Sequence, residues 1–160
     1  MKTTTPLTTQ SLFVIITGAV NAGKSFQLLS ILDAEVDGQS VATPTLFLVA
    51  ESSSEGTIGA ILNDPSRACV WPVKDCEDAT RALTACFPRS GPVTLGDAKR
   101  LWYAQACKTV ADDQAAAVKA AMDSKQPHPA PLPLPAPPIA SPNDRVLLRS
   151  AVIDTMTTLY

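Results

Sequence analysis

The apolar run LFVIIT, residues 12–17, stops at the octapeptide GAVNAGKS of residues 18–25, and the chain resumes as FQLLSILDA with a different hydrophobic period. Residues 11–17 read as a strand covered on both faces, because an unbroken β-branched run leaves no polar side to turn toward water. After Lys24 the apolar positions Phe26, Leu28, Leu29, Ile31 and Leu32 follow helical spacing. That helix is expected to close near Gly38, a residue suited to a left-handed stop. A strand, a glycine-bracketed turn and a helix in direct succession point to an α/β chain.

The alternation continues. Residues 45–50, TLFLVA, read as a second buried strand followed by Glu51 and a serine-rich turn. Ser53 or Ser54 is placed to cap a short helix through Ile58, Ile61 and Leu62 that ends at Asn63-Asp64-Pro65. Residues 68–73 form a third strand, and residues 75–87 a helix with Ala79, Leu83 and Cys86 or Phe87 inward. Strands alternating with helices imply a mostly parallel sheet with helices on its faces, a three-layer α/β/α arrangement. From residue 97 to 125 the pattern is one long helix with Ala104, Cys107, Ala111, Val118 and Met122 on its apolar face. Residues 127–142 carry eight prolines, which excludes helix and central strand and favours extended polyproline II. Sixteen such residues could span roughly 50 Å, as a spacer or a disordered stretch. Residues 146–154 then form an apolar strand ending in Asp154. The expected organisation is a polar tail at 1–10, a core at 11–96 and 144–160, a helical insert at 97–126 and a proline-rich linker at 127–143.

At 160 residues and 46% apolar content the chain can bury one ordinary core. Thirteen basic and fifteen acidic residues leave a net charge of −2, so no global field draws it to nucleic acid or to an anionic membrane. The four cysteines form no C-x-x-C pair, and the single histidine, His128, lies among prolines, which argues against zinc. The polar start MKTTTPLTTQ and the shortness of the apolar run behind it suggest neither a secretion signal nor a membrane span. A cytoplasmic protein is expected, in the host cytoplasm if it is viral.

GAVNAGKS has the composition a triphosphate demands. Several negative charges within a few ångströms need many donors and little bulk. Gly18 and Gly23 let the backbone wrap the phosphates, and amides from Val20 to Ser25 form a nest at a helix N-terminus. Lys24 is suited to neutralise the β- and γ-phosphates and Ser25 to ligate Mg²⁺. The expected ligands are therefore ATP and Mg²⁺. The candidate nucleotide-binding set is Gly18, Ala19, Val20, Asn21, Ala22, Gly23, Lys24, Ser25 and Phe26. Asp154, closing an apolar strand, is the candidate carboxylate that holds the magnesium through water.

Asp154 is followed by threonine rather than by the glutamate of an Asp-Glu pair, whereas Glu51 stands one step past the second strand. That placement, the ending AVIDTMTTL and the phosphate loop together resemble the RecA-like P-loop ATPases, above all the nucleotide-binding proteins encoded by phages that assist homologous recombination or strand annealing. The resemblance covers residues 11–87 and 146–160. It implies a RecA-like P-loop fold with Glu51 as the base for the attacking water, Glu55 as its rival, and Lys24 acting on the phosphates during the reaction. It also implies a homo-oligomer with nucleotide at subunit boundaries. Such folds place further strands later in sequence than the aspartate strand. The chain is accordingly expected to be an incomplete, truncated version of that core.

Lys99-Arg100-Leu101-Trp102-Tyr103 sets two cations beside two aromatics, a combination that can hold single-stranded DNA. Packing within the helix is the competing reading, since aromatic side chains mainly bury area. Three functions follow: an ATPase of phage DNA recombination, a nucleotide-binding regulatory or scaffolding module without turnover, and a small-molecule kinase. The last lacks an evident arginine-rich lid, Arg89 and Arg100 being isolated.

Overall fold

The computed structural model describes residues 35–36, 39–40, 44–49 and 66–154. Within them, strands β1 (Glu35–Val36) and β2 (Gln39–Ser40) form a small antiparallel pair. Strands β3 (Thr45–Val49), β4 (Ala68–Pro72) and β5 (Ser150–Asp154) form a parallel sheet in the order β4-β3-β5. Helices α1 (Cys76–Cys86) and α2 (Leu95–Asp123) separate β4 from β5. The chain is thus α/β with a small parallel three-stranded sheet, while residues 11–17, 18–34 and 51–65, where a strand, the glycine turn and two helices are expected, lie outside the described residues.

The β1–β2 pair corrects the helix expected to run to Gly38. Glu35 is in register with Ser40 and Val36 with Gln39, so two residues, Asp37 and Gly38, separate the strands. Asp-Gly favours a two-residue hairpin, because both positions tolerate positive φ. This local signal outweighs the periodicity that precedes it.

β3 is the middle strand, and its five side chains are all buried, Leu46 and Phe47 on opposite faces. On one face Leu46 and Leu48 pack with Cys69 and Trp71 of β4, Ala79, Ala82 and Cys86 of α1, and Leu95 and Ala98 of α2. Burying aliphatic side chains there contributes roughly 1.5–3 kcal/mol each. At the amino edge, Thr45 Oγ1 and Ser150 Oγ share a hydrogen bond at 2.7 Å.

α1 starts where the sequence signals it. Asp75 is the N-cap, accepting from the Asp78 N–H at 2.8 Å. The helix runs from the carboxyl edge of the sheet, which follows Pro72, back to the amino edge. There Gly91 adopts a φ of 117°, a left-handed conformation that glycine reaches without strain. α2 begins two residues earlier than expected, capped by Thr94, whose Oγ1 accepts from the Asp97 N–H at 3.1 Å.

The predicted apolar face of α2 is not the buried one. Ala104, Ala111 and Met122 are exposed and Cys107 and Val118 half-buried, whereas Leu95, Gly96, Ala98, Lys99 and Ala121 are buried. Only the first turns of α2 meet the core, and beyond them the helix is covered along one side by the proline tract. That tract is neither a free spacer nor disordered. The Leu132 N–H donates to Gln114 Oε1 at 2.8 Å, and Lys99 Nζ donates to the Ile139 carbonyl at 3.1 Å. The segment therefore runs back antiparallel to α2. From Lys99 to Gln114 the helix rises about 22 Å at ~1.5 Å per residue. From Leu132 to Ile139 a polyproline II segment covers about the same distance at ~3.1 Å per residue. The equal spans identify its extended form.

The final strand is shorter than residues 146–154. Leu147 makes an antiparallel bridge with Thr94, and the Leu148 N–H donates to the Val93 carbonyl at 2.8 Å, before β5 begins at Ser150. The first apolar residues of that run thus close the base of the α2 excursion and do not join the parallel sheet.

Candidate functional site

The three parallel strands end together. Val49 is in register with Pro72 on one side and with Asp154 on the other. In open α/β sheets ligands bind outside the carboxyl ends of the strands, where loops diverge and no side-chain layer covers the sheet. Asp154 therefore ends β5 at the edge such ligands use, beside the strand whose continuation reaches Glu51 two residues later. Residues 18–26, Glu51 and Glu55 lie outside the described residues, so among the candidate site positions the structure places the Asp154 backbone.

The donor chemistry of the named residues suits the expected ligand set. A hydroxyl from Ser25 and a carboxylate from Asp154 are hard oxygen donors, the class that Mg²⁺ takes.

The N-terminus of α1, which follows the carboxyl end of β4, is already neutralised. The α1 N-terminus carries Glu77 and Asp78 in its first turn, and the Lys74 N–H donates to Asp78 Oδ2 at 3.2 Å. Arg81 in turn bonds Asp78 and Glu77 at 3.0 and 3.1 Å. The Asp78 amide, one of the orphan donors of that turn, is taken by Asp75 Oδ1, and the acidic side chains around it oppose a phosphate there.

Of the two cations in KRLWY, Lys99 is buried at 5% exposure and bonded to Asp144 at 2.7 Å, while Arg100 pairs with Asp97. Trp102 packs against the core cluster and Tyr103 lies half-buried beside it, with ring centroids 6.4 Å apart. Lys99 therefore serves the fold, and it does not stand at the surface to hold a phosphate. Sequence reasoning missed its burial; the signal was the pairing of Lys99 with an aspartate 45 residues away, which no local pattern reveals.

An open groove of about 280 Å³ lies between α1 and α2, lined by Trp71, Arg81, Ala85, Leu101, Ala104 and Lys108. Its two cations are engaged, Arg81 as above and Lys108 by Asp112 of its own helix.

Cys69 and Cys86 face each other across the β4–α1 contact, both buried. Burial, with a smaller contribution from neighbouring Cys86, pushes the Cys69 thiol up to about 12, and burial pushes Cys86 up to about 11. Both are protonated core residues at neutral pH.

No helix among the described residues is long and apolar enough to cross a membrane. No family model, curated protein or solved structure matches this chain.

Proposed function

We propose that the chain is a RecA-like P-loop protein that binds ATP with Mg²⁺ through GAVNAGKS and hydrolyses it in the service of phage DNA recombination or strand annealing. The observation that carries this reading is the register of β3 with β5. It sets Asp154 at the carboxyl edge beside Val49, so that the candidate magnesium carboxylate and the strand leading to Glu51 share one edge of a parallel sheet. A carboxylate on a strand next to the strand that leads to a glutamate is what a shared nucleotide site requires.

The roles follow from charge and donor count. The amides of residues 20–25 hold the phosphate oxygens, and Lys24 balances the charge that builds on them as the terminal phosphoryl leaves. When bound, Mg²⁺ supplies further charge neutralisation, with Ser25 and Asp154 as its protein partners. Glu51 accepts a proton from, and orients, the water that attacks.

The test is ATP binding and turnover by the full chain, with and without single-stranded DNA, beside Lys24→Ala and Glu51→Gln. Lys24→Ala should abolish binding. Glu51→Gln should keep binding and lose turnover by roughly 10²-fold or more. Absence of ATP binding by the unsubstituted chain would overturn the proposal, and tight binding without turnover under any condition would make it a nucleotide-binding regulatory module.

A further inference from the structure

A polyproline II helix has three residues per turn, so its side chains stand in three rows. In the tract beside α2 one row is Pro129, Leu132, Pro135, Pro138 and Ser141. Four of these five are half-buried, and the fifth, Leu132, gives its N–H to Gln114. The other two rows are Ala130, Pro133, Ala136 and Ile139, and Pro131, Leu134, Pro137 and Ala140. All eight are exposed. The segment thus rests on α2 by one row and presents the opposite edge, made of the dipeptides Ala130-Pro131, Pro133-Leu134 and Ala136-Pro137, followed by Ile139.

Three properties of this edge go beyond what a spacer needs. It is apolar, with Leu134 at 67% and Ile139 at 66% exposure, where a linker would carry polar side chains. It is uncharged, since residues 126–143 contain no Asp, Glu, Lys or Arg. It is also already ordered, because contacts with α2 hold the backbone straight from Leu132 to Lys99's partners Ile139 and Ser141. Ordering a ligand before it binds removes much of the entropic cost of association.

We propose that this edge is a docking ridge for a protein domain with an aromatic-lined groove that reads polyproline II. Such grooves take two adjacent rows of the prism as alternating proline and aliphatic residues, and ring faces stack on the pyrrolidines. Here two adjacent rows are free and the third is held by α2, so the ridge can enter a groove without leaving its own helix. The lack of charge along the ridge selects a groove whose walls are aromatic and neutral. α2 also sets where the partner sits. At about 43 Å for its 29 residues, α2 is more than twice the ~17 Å of a five-residue strand. It starts at the amino edge beside Leu147 and lies along α1, so it carries the tract past the carboxyl edge of the sheet. A domain docked on Leu134 would stand over the edge that ends at Asp154.

The experiment titrates the unlabelled full chain into a ¹⁵N-labelled WW domain and, separately, into a ¹⁵N-labelled SH3 domain. Saturable shifts are expected at the groove tryptophan and tyrosine resonances of at least one domain. Leu134→Ser combined with Ile139→Ser should weaken the interaction by roughly tenfold or more. Leu147→Ser, which removes an exposed leucine outside the tract, should leave it unchanged. Circular dichroism and the melting temperature should be the same for all variants, because these side chains face solvent. The proposal is overturned by an absence of shifts in both domains, by equal weakening in Leu147→Ser, or by sedimentation showing that Leu134 and Ile139 instead join two copies of this chain.

Discussion

Lys99 and Asp144, 45 residues apart in sequence, meet at 2.7 Å where α2 leaves the sheet. All three ammonium donors of Lys99 are used, on Asp144, on the Ile139 carbonyl at 3.1 Å and on Ser141 Oγ at 3.4 Å. Asp144 also accepts from the Ser141 N–H at 2.9 Å and its hydroxyl at 2.8 Å. One buried cation thus ties the far end of the proline tract to the second turn of α2. Lys99→Met should cost about 2–3 kcal/mol, below the ~3–5 of a fully buried pair, because the Asp144 side chain stays 25% exposed and water offsets part of the loss. Urea unfolding measures this, and an unchanged midpoint would show the pair to be a spectator.

The same pair sets a pH dependence. Burial acts to raise the Asp144 carboxyl, but hydrogen bonds from Lys99 and Ser141 and the Lys99 charge outweigh it and hold the carboxyl below its ordinary value. A depressed folded value means stability that is full above the unfolded value near ~3.9 and is lost as pH falls through the folded one. Asp144→Asn should therefore be less stable than the unsubstituted chain at pH 7, with the gap narrowing below about pH 4.

At Gly96 the α2 backbone comes close to the Pro142–Arg145 turn. A Cβ there would lie 2.9 Å from both Asp144 Cβ and the Asp144 carbonyl oxygen. Helix propensity favours Gly96→Ala by up to ~1 kcal/mol, but crowding against backbone costs about 1–3 kcal/mol. Crowding should win, lowering the melting temperature. A rise would mean that the Pro142–Arg145 turn yields easily.

For Cys69 and Cys86 the folded values are raised, so their contribution to stability is complete below about pH 9 and declines as pH rises toward about 11 and 12. The slope is at most ~1.4 kcal/mol per pH unit for each thiol. Urea midpoints at pH 8 and pH 10 should separate accordingly. At neutral pH a thiol reagent should modify the exposed Cys76 first and reach Cys69 and Cys86 only on unfolding. Fast labelling of all four thiols in the folded protein would contradict this packing.

Hydrogen exchange tests the seating of the proline tract. The Leu132 amide, bonded to Gln114, should exchange more slowly than those of Leu134 and Ala136, and Gln114→Ala should erase the difference. Equal rates in the unsubstituted chain would mean that the tract does not stay on α2.

If Asp154 holds magnesium, Asp154→Ala should shrink the gain in ATP affinity that Mg²⁺ confers, measured by titration with and without the metal. An undiminished gain would remove Asp154 from the site.

β3, β4 and α1 were readable because each carries its own instruction: aliphatic runs for the strands, and Asp75 as a cap before the helix. The buried side of α2 was not readable. Its covering layer is a proline segment that returns from beyond the helix, and only the Gln114–Leu132 and Lys99–Asp144 contacts reveal the pairing. Val146 and Leu147 read as strand for a similar reason, since apolar content does not tell a parallel partner from the antiparallel Thr94. At the candidate site, GAVNAGKS and Asp154 carry the pattern proposed for phosphate and magnesium. What the sequence could not supply was the neighbour of the aspartate strand, which the β3–β5 register provides.

The antiparallel bridge of Thr94 with Leu147 has a wider meaning. To the sheet, the chain steps from one of these residues to the other almost directly, and the arm between them is rooted at that seam, where Leu95, Ala98 and Trp102 join the core. Thr45 and Ser150 are 105 residues apart, yet bypassing about half of that path by zipping the arm first lowers the closure cost by only ~0.6 kcal/mol. The seam matters less as a folding aid than as a socket. A module of different length or chemistry could be grafted beyond Trp102, its two ends meeting at the same separation, while Leu95, Ala98 and Trp102 stayed in the core and the parallel strands kept their order.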